Sequence, residues 1–365
     1  MNGYTETVYE KISSESFYDG MRLEGEIYYC LNGKYILAFK NSTINNVILS
    51  KLKSIEATYG GLYVSLGEYE HFINQISKQT EMRSFNELKI EQEKLIGSTC
   101  TLFESAARTS SLNLNASEHL AVSIKDRMFT VSVANLIHLI NGVRNVDTYL
   151  YTHSTNVAIL NGLMGKWLGL SDDEIEKLIK IGLIHDIGKI RIPDKIINKP
   201  AILTPAEFEV MKTHSVFSYE MIKAAGETDP EILSAVRGHH EKTNGTGYPD
   251  GLTAANLSLF TRITTISDIY DAMVARRVYK EAHSPFEILD EFSRDKFSNL
   301  DTHLINVFLT NMPQELAGKK VELSDGRIGR VVYINRNKFA FPFVQIGDDV
   351  IETNEDLKCL CVFDE

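Results

Sequence analysis

Cysteine is scarce in this sequence of 365 residues, which contains only four. Cys30, Cys100, Cys359 and Cys361 are too few and too scattered to form a disulfide framework. The chain also lacks any run of about 18 apolar residues without a charge, so no membrane-spanning helix is expected. Its N-terminal residues include acidic side chains and no apolar segment of the kind that secretory signals carry. These absences predict a cytoplasmic protein with no membrane partner.

Positive charge is also in short supply. The chain has 38 Lys and Arg residues against 49 Asp and Glu residues, which gives a net charge of −11 at pH 7. A chain this acidic is a poor candidate for sequence-independent binding to duplex nucleic acid, and any phosphate-binding site has to concentrate positive charge locally. The apolar fraction of 43% and the charged fraction of 24% are typical of globular proteins. This length predicts two or three domains.

Three regions with different hydrophobic patterns follow one another along the chain. Strand-like segments flank Asn32-Gly33, a strong hairpin signal, and a helical segment and another strand-like segment follow, which predicts a β-β-α-β module. A charged helical stretch then leads into a region of successive helices, and short strands follow Pro313. We therefore predict a multi-domain α+β protein: a small N-terminal α/β regulatory module with a connecting helix (residues 1–110), an all-α helical bundle (111–312) and a small C-terminal β module (313–365).

Five of the ten histidines lie in the helical region, between positions 153 and 240. Neutral imidazole is the commonest metal ligand in proteins, and carboxylate oxygens complement it. Two adjacent pairs stand out, His185-Asp186 and His239-His240, and we expect both on helices, where neighbours point about 100° apart and can flank one or two metals. Apolar residues precede His185, and buried polar groups are costly unless they are coordinated. The pattern indicates a metal site.

Four motifs in this region are highly specific when taken together and in order. They are Leu183-Ile-His-Asp-Ile-Gly-Lys189, His239-His240-Glu241, Gly245-Thr-Gly-Tyr-Pro249 and Ser267-Asp-Ile-Tyr-Asp-Ala-Met273. The His-Asp pair alone marks only a broad superfamily of metal-dependent phosphohydrolases. All four motifs at this spacing resemble the HD-GYP family of cyclic dinucleotide phosphodiesterases, over roughly residues 120–312. The resemblance implies that the helical bundle is of the HD type.

The resemblance also implies a role for each residue that falls on a motif position of the family. The metal-ligand positions, with Asp186 expected to bridge two metals, are those of His153, His185, Asp186, His214, His239, His240 and Asp268. The positions that hold the phosphates and guanine bases of the substrate are those of Lys189, Tyr248, Arg277 and Lys280. Gly247 and Pro249 are counted with them, because they shape a loop that approaches the ligand. Asp186 and Lys189 are expected to take part in catalysis.

Three other positions bear on this interpretation. Family members with a three-metal site carry a Glu one helical turn before the first ligand His, and here Tyr149 occupies that position. A phenol is a poor substitute for a carboxylate, so two divalent metal ions are expected. A His and Asp ligand set suits iron, manganese or zinc, and the family implies iron or manganese. Asp271 is expected to cap or orient the helix that carries Asp268, and Glu241 to support the site without binding a metal.

The expected chemistry is in-line displacement at the phosphorus of a cyclic dinucleotide. Two metals about 3.5–4 Å apart, bridged by a hydroxide, would supply the nucleophile and stabilise charge on the attacking and leaving oxygens. The family implies cyclic di-GMP as the substrate and linear pGpG as the product, with further cleavage to GMP left open. The alternatives are a catalytically slow cyclic dinucleotide receptor, a phosphodiesterase for cyclic GMP-AMP, and hydrolysis of another phosphoester. A homodimer and a signalling-protein partner both stay open.

The C-terminal β module carries a basic cluster beside several phenylalanines. Arg327, Arg330, Arg336 and Lys338 lie close in sequence to Phe339. A nucleic-acid surface is one interpretation of this cluster, and a hairpin with solvent-exposed charges is the commoner one.

Overall fold

The computed structural model describes residues 8–129, 133–140, 148–199, 201–275, 284–294 and 297–363. The chain is mostly helical, with one small antiparallel sheet towards each end. It divides into two compact units, residues 1–87 and residues 88–364. The three-part division predicted above stays a prediction. Among the described residues, no helix is both long enough and apolar enough to cross a membrane.

The first unit contains a four-stranded sheet and one helix packed on it. The sheet has the order β1-β4-β2-β3 and its pairs are antiparallel. The predicted hairpin at Asn32-Gly33 is confirmed, because both residues have positive φ and join β2 to β3. A strand that we did not predict, β1, lies at the sheet edge. The elements are β1 (Tyr9–Ile12), β2 (Arg22–Leu31), β3 (Lys34–Thr43), α1 (Asn46–Tyr59) and β4 (Leu62–Ser65).

A long helix, α2 (Leu66–Thr109), runs from the first unit into the second, where helices dominate. One of these helices starts after Ser171, whose hydroxyl forms a capping box with the Glu174 carboxylate. The other helices are α3 (Leu114–Met128), α4 (Val133–Ile140), α5 (Tyr149–Trp167), α6 (Asp172–Ile184), α7 (Asp194–Ile197), α8 (Pro205–Lys212), α9 (His214–Ala224), α10 (Pro230–Gly238), α11 (Leu259–Ala275), α12 (Pro285–Ser293) and α13 (Thr302–Leu316).

A five-stranded antiparallel sheet of order β8-β7-β6-β5-β9 follows the helices. Its core is made by alternating inward residues such as Val321, Val331 and Val344, all fully buried. The predicted β character of the region after Pro313 is therefore confirmed. The strands are β5 (Lys320–Leu323), β6 (Ile328–Tyr333), β7 (Phe343–Ile346), β8 (Asp349–Glu352) and β9 (Cys359–Phe363).

Helix α5 forms the centre of the helical region, because its residues from Thr152 to Gly165 are all buried. Gly182 lets α6 approach it closely: a Cβ at that position would lie 2.5 Å from the Cα of Ala158. The side chain of Asn161 ties the helices together, since its Nδ2 donates to the Leu178 carbonyl and to the Thr264 hydroxyl, each at 3.0 Å. The second half of α6 is thereby held against the middle of α5.

Lys180, also on α6, is a buried cation, and replacing it tests how the helix is held in place. Its Nζ lies 2.8 Å from a Glu118 carboxylate oxygen and 2.7 Å from one of Glu227. Burial by itself would lower the pKa of Lys180, but these carboxylates outweigh it and raise that pKa. We expect Lys180→Met to lower the free energy of unfolding by about 3 kcal/mol, because Glu227 would stay buried without a counter-ion.

Urea denaturation measures this loss. The control is Lys177→Met, since Lys177 is 41% exposed and pairs with Asp229 in a more solvated setting. It should cost less than about 1 kcal/mol. Equal losses in the two variants would contradict the assignment of Lys180 as a buried structural cation.

Candidate metal centre

The residues predicted as metal ligands come together in the structure. Each of them is buried except His240, which is half-buried. Their nitrogen and oxygen atoms form overlapping groups in which all atoms lie within 4.8 Å of one another. The groups are His153 with His185 and Asp268, His185 with Asp186 and His239, and His214 with His239 and His240. Such spacing is compatible with a shared cation.

Both adjacent pairs lie at the ends of helices, so our expectation that they lie within helices is wrong. Helix α6 ends at Ile184, and Asp186 begins a short 3-10 helix, Ile187–Arg191. Helix α10 likewise ends at Gly238, immediately before His239 and His240. His185 and His239 keep helical backbone angles as C-cap residues, and the backbone of Asp186 departs from them, with φ −102° and ψ 7°.

The carboxylate of Asp186 lies between two groups of imidazoles. Its Oδ2 is 3.3 Å from the Nε2 of His153 and 3.3 Å from the Nε2 of His185. Its Oδ1 faces the other way, 3.2 Å from the Nε2 of His214 and 3.8 Å from that of His239. The two oxygens of one side chain therefore address two separate clusters of nitrogen atoms.

Asp268, on α11, provides a second carboxylate on the same side of the centre as His153. Its Oδ1 lies 3.1 Å from the Nε2 of His153 and 4.0 Å from that of His185. Its Oδ2 lies 3.5 Å from the Nδ1 of His240. Asp268 thus contacts members of both clusters.

Hydrogen bonds on the far side of the rings fix their orientation. In three of these histidines, Nδ1 lies within hydrogen-bond distance of the backbone carbonyl three residues earlier. Because a carbonyl can only accept a hydrogen bond, Nδ1 carries the proton, and Nε2 keeps the lone pair that can bind a metal. These contacts join His185 to Gly182 (2.8 Å), His214 to Met211 (2.7 Å) and His239 to Val236 (2.8 Å). The rings are thereby held in the form that binds a cation.

His153 is oriented by a carboxylate instead. Its Nδ1 lies 2.7 Å from the Oδ2 of Asp271, which is fully buried. We expected Asp271 to cap or orient the helix of Asp268, whereas it bonds directly to an imidazole on α5. The sequence did contain a signal for this contact. Asp268 and Asp271 are three residues apart on α11, which places both on the same face of the helix, towards the imidazoles.

Unsatisfied buried atoms provide a second indication that the predicted ligand residues fit a metal site, independent of the distances between them. The Nε2 of His185 and the Oδ1 of Asp186 are buried and have no hydrogen-bond partner among the residues that the structure describes. Buried polar atoms left in this state are costly, and a divalent cation would satisfy them.

Electrostatics favour the metal-binding protonation states of four of these residues but not of His153. Burial alone would lower the pKa of His153, but the carboxylates of Asp186, Asp268 and Asp271 outweigh it and hold that pKa well above its usual value. Burial lowers the pKa of His214 to about 4 and that of His240 to about 3. Burial, reinforced by the neighbouring imidazole of His240, holds the pKa of His239 well below its usual value. Burial alone would raise the pKa of Asp186, but Lys189 and the surrounding imidazoles outweigh it and hold that pKa well below its usual range. Neutral imidazoles and an ionised carboxylate are the forms that bind metals.

Lys189 is placed at the edge of this cluster by the short 3-10 helix. Its Nζ lies 2.5 Å from the Oδ2 of Asp186, and the side chain is 20% exposed. The ammonium group therefore pairs with the central carboxylate and also reaches the opening of the site.

The predicted substrate loop folds over the centre and is anchored by Glu241. This buried carboxylate accepts hydrogen bonds from the backbone N–H groups of Asp250 (2.7 Å), Gly251 (3.0 Å) and Leu252 (3.0 Å). Gly247 packs on the backbone beneath it, since a Cβ there would lie 2.4 Å from the Cα of Glu241. Glu241 thus holds the loop through hydrogen bonds to its backbone.

Tyr248, in the same loop and followed by Pro249, forms a wall of the site. Its ring stacks on the imidazole of His240, with centroids 4.6 Å apart. Two residues of α8 that we did not single out border it: the Phe208 ring, 6.4 Å away edge-on, and the Lys212 Nζ, 5.8 Å from the ring centroid. Phe208 is 47% exposed, which is unusual for a phenylalanine beside a buried cluster.

Two predicted residues, Arg277 and Lys280, lie outside the described residues.

Tyr149, which occupies the position where three-metal family members carry a Glu, lies on the first turn of α5. Its ring is nearly parallel to that of His153, at a centroid distance of 5.9 Å. A phenol therefore stands beside the first ligand imidazole.

Comparisons with known proteins agree with this geometry. Residues 138–304 match the HD domain family. A cyclic di-GMP phosphodiesterase of Pseudomonas aeruginosa is 30% identical over 204 residues, which is 56% of this chain and 49% of the relative. A 3'3'-cGAMP-specific phosphodiesterase of Vibrio cholerae is 31% identical over 186 residues, 50% of this chain and 42% of the relative. The chain thus spans about half the length of the curated relatives it matches.

A solved structure shares the fold. It is an HDGYP protein of Bdellovibrio bacteriovorus, which matches with a TM-score of 0.50 and 17% identity, covering 84% of this chain and 100% of that one. The family match spans the region that carries the imidazole and carboxylate cluster. Residues 138–304 thus match an HD domain, and the chain is similar to proteins of the HD-GYP type.

Proposed function

We propose that this protein is a metal-dependent phosphodiesterase that hydrolyses a cyclic dinucleotide, with cyclic di-GMP as substrate and linear pGpG as product. The observation that carries the proposal is the buried Asp186 carboxylate, whose two oxygens face two separate imidazole clusters. A bridging carboxylate between two nitrogen-rich sites suits a pair of metals that act on one phosphodiester. The curated relatives named above act on cyclic dinucleotides, which supports this substrate class.

Two divalent cations would be held by two ligand sets that share Asp186. The first set is His153, His185, Asp268 and the Oδ2 of Asp186, and the second is His214, His239, His240 and the Oδ1 of Asp186. When bound, the cations supply Lewis-acid charge at the phosphate and lower the pKa of water, so that a nucleophile is available at neutral pH. The nitrogen and oxygen donors, without thiolate, suit iron, manganese or zinc. The resemblance to the HD-GYP family favours iron or manganese. Tyr149 in place of a carboxylate supports two metals rather than three.

Side chains around the cluster would hold the substrate. The Lys189 ammonium lies at the opening of the site, where it can offset the charge of a phosphate. The Tyr248 ring and the exposed Phe208 ring offer apolar faces on which a guanine base can stack, and the Lys212 ammonium lies beside both. Arg277 and Lys280 keep the substrate-binding role predicted from the sequence.

The finer architecture is part of the same proposal. We place the phosphodiesterase in an HD-type bundle at residues 111–312, a regulatory α/β module at residues 1–110 and an accessory β module at residues 313–365. The small antiparallel sheets on either side of the helices support this division.

Replacing Lys189 separates substrate binding from metal binding. We expect Lys189→Ala to keep its metal and to lose about 10- to 100-fold in kcat/KM, the range for one charge-assisted hydrogen bond. Metal content is measured by plasma mass spectrometry and turnover by chromatography of the linear product. Lys195→Ala on α7, an exposed lysine of the next helix, is the control and should match the parent chain. Loss of metal from Lys189→Ala would contradict the assigned role.

Substrate identity is tested by competition. The metal-loaded chain is offered cyclic di-GMP and 3'3'-cyclic GMP-AMP at equal concentrations, and both linear products are followed over time. The proposal predicts faster consumption of cyclic di-GMP. Faster consumption of cyclic GMP-AMP would reassign the substrate, and the Vibrio cholerae relatives make that the second candidate.

A further inference from the structure

The seam between the last two helices of the bundle and the C-terminal sheet contains a cavity of about 420 Å³. Its lining comes from the end of α12 with the turn after it, from one face of α13, and from the segment between β6 and β7. The volume lies within the range of about 300–1,000 Å³ that small-molecule sites occupy. None of the cavity-lining residues is one of the predicted metal ligands or substrate-binding residues.

Aromatic rings form one side of the cavity. Phe292 and Phe339 are buried, and the half-buried Phe297 stacks on Phe292 with centroids 4.8 Å apart and an interplanar angle of 17°. A partly exposed ring with its plane fixed by a second ring is a suitable surface for stacking a planar heteroaromatic group.

The charge of the described part of the lining is positive. It includes two arginines and, among the residues that the structure describes there, no acidic one. Arg294 is paired, since its Nε and Nη2 both donate to the Oδ2 of Asp290. Arg336 makes no hydrogen bond or ion pair with any described residue, in contrast to Arg327, which bonds to Asp325, and Arg330, which donates to the Gly318 carbonyl. The basic cluster noted in the sequence thus leaves one guanidinium unpaired, and it lines the cavity.

Uncharged polar groups complete the lining. Thr302, Asn306 and Thr310 follow one another at intervals of four along α13 and so share one face of that helix. Their side chains, like that of Ser298, make no hydrogen bond within the described part of the chain. These donors and acceptors are available to the heteroatoms of a ligand.

The turn that supplies Phe297 and Ser298 is bonded to the substrate loop. The backbone N–H of Thr243 donates to the Asn299 carbonyl at 2.8 Å, and the Thr243 hydroxyl donates to the same oxygen at 2.8 Å. Thr243 also closes the base of the loop, because its carbonyl accepts from the N–H of Ala254 at 2.9 Å. A ligand that orders residues 297–300 would therefore act on the loop that carries Tyr248.

From these features we propose that the cavity is a second, regulatory site for a nucleoside monophosphate. The base would stack on Phe297, the single phosphate would pair with the guanidinium of Arg336, and the polar face of α13 would bind the sugar. One unpaired cation suits a ligand with one phosphate rather than a polyphosphate.

Calorimetric titration of the full chain, stripped of metal with EDTA, tests the site apart from the metal centre. GMP is expected to bind, and Arg336→Gln to weaken it by about tenfold or more, the loss expected for one charge-assisted hydrogen bond. Arg327→Gln, an arginine of the same sheet that does not line the cavity, should bind GMP as the parent chain does. Absence of GMP binding, or equal weakening in both variants, would overturn the proposal.

Two further arms test the ligand class and the coupling to the loop. Guanosine and inorganic phosphate should each bind more weakly than GMP, and equal binding by phosphate alone would reduce the cavity to a simple anion site. GMP should slow amide hydrogen exchange in residues 243–254 of the parent chain and have no such effect in Arg336→Gln. Unchanged exchange in the parent chain would overturn the regulatory role.

Discussion

Asp186→Asn is expected to abolish turnover and to remove metal from the protein. The amide keeps the shape of the side chain, but it has no negative charge and offers only one oxygen, so it cannot serve the two imidazole clusters that the carboxylate faces. We expect kcat to fall by about 1,000-fold or more, which corresponds to about 4 kcal/mol in the barrier. Metal analysis of the purified variant should show that both ions are depleted.

The control for this change is Asp173→Asn. Asp173 lies in the first turn of α6, the helix that leads to His185, and its side chain is exposed. Loss of its charge removes only a favourable interaction with the helix dipole, worth about 0.3–1 kcal/mol. Normal metal content in Asp186→Asn would show that this carboxylate is not a metal ligand.

Gly188→Ala is expected to damage the same centre without changing any ligand. A Cβ at this position would lie 2.2 Å from the carbonyl oxygen of His214 and 2.4 Å from the backbone nitrogen of Ser218. Backbone atoms of a helix cannot give way as a flexible side chain can, so the start of α9 would have to move away from Asp186. The second imidazole cluster would then lose His214, and we expect activity to fall by at least about 100-fold, as a misplacement of about 1 Å can cause.

Metal titration and turnover of Gly188→Ala measure this effect, with circular dichroism to show that the helices persist. Gly97→Ala is the matched control: Gly97 lies on α2, and no atom comes within 4 Å of the added Cβ. Alanine is the better helix former, so the control should be slightly more stable than the parent chain. An active, fully metallated Gly188→Ala variant would show that the close approach of the two backbones is not needed.

The sequence allowed a good prediction of the residues that meet, because motif order and spacing carried that information. It did not reveal how they meet. The residues at the end of α6, Ile184 and His185, are neither Gly nor Pro, so the sequence contains no helix-ending residue there. The helical pattern therefore suggested that the His-Asp pair lay within the helix. The structure ends the helix at Ile184, and the backbone departs from helical angles at Asp186.

Contacts between distant segments could not be predicted from local pattern. The bond between His153 and Asp271 joins residues 118 positions apart, and its existence depends on how α5 packs against α11. The close approach at Gly182 and the cavity beside α13 are likewise products of packing. Hydrophobic periodicity identifies a helix and its buried face, whereas the partner of that face depends on the whole fold.

Turnover of cyclic di-GMP by the metal-loaded chain, with bound metal counted in the same sample, tests the central claim most directly. The account predicts two iron or manganese ions per chain and the time-dependent appearance of linear pGpG, both lost together in Asp186→Asn. Tight binding of cyclic di-GMP without any linear product, under iron, manganese and zinc alike, would contradict it and identify the protein as a receptor.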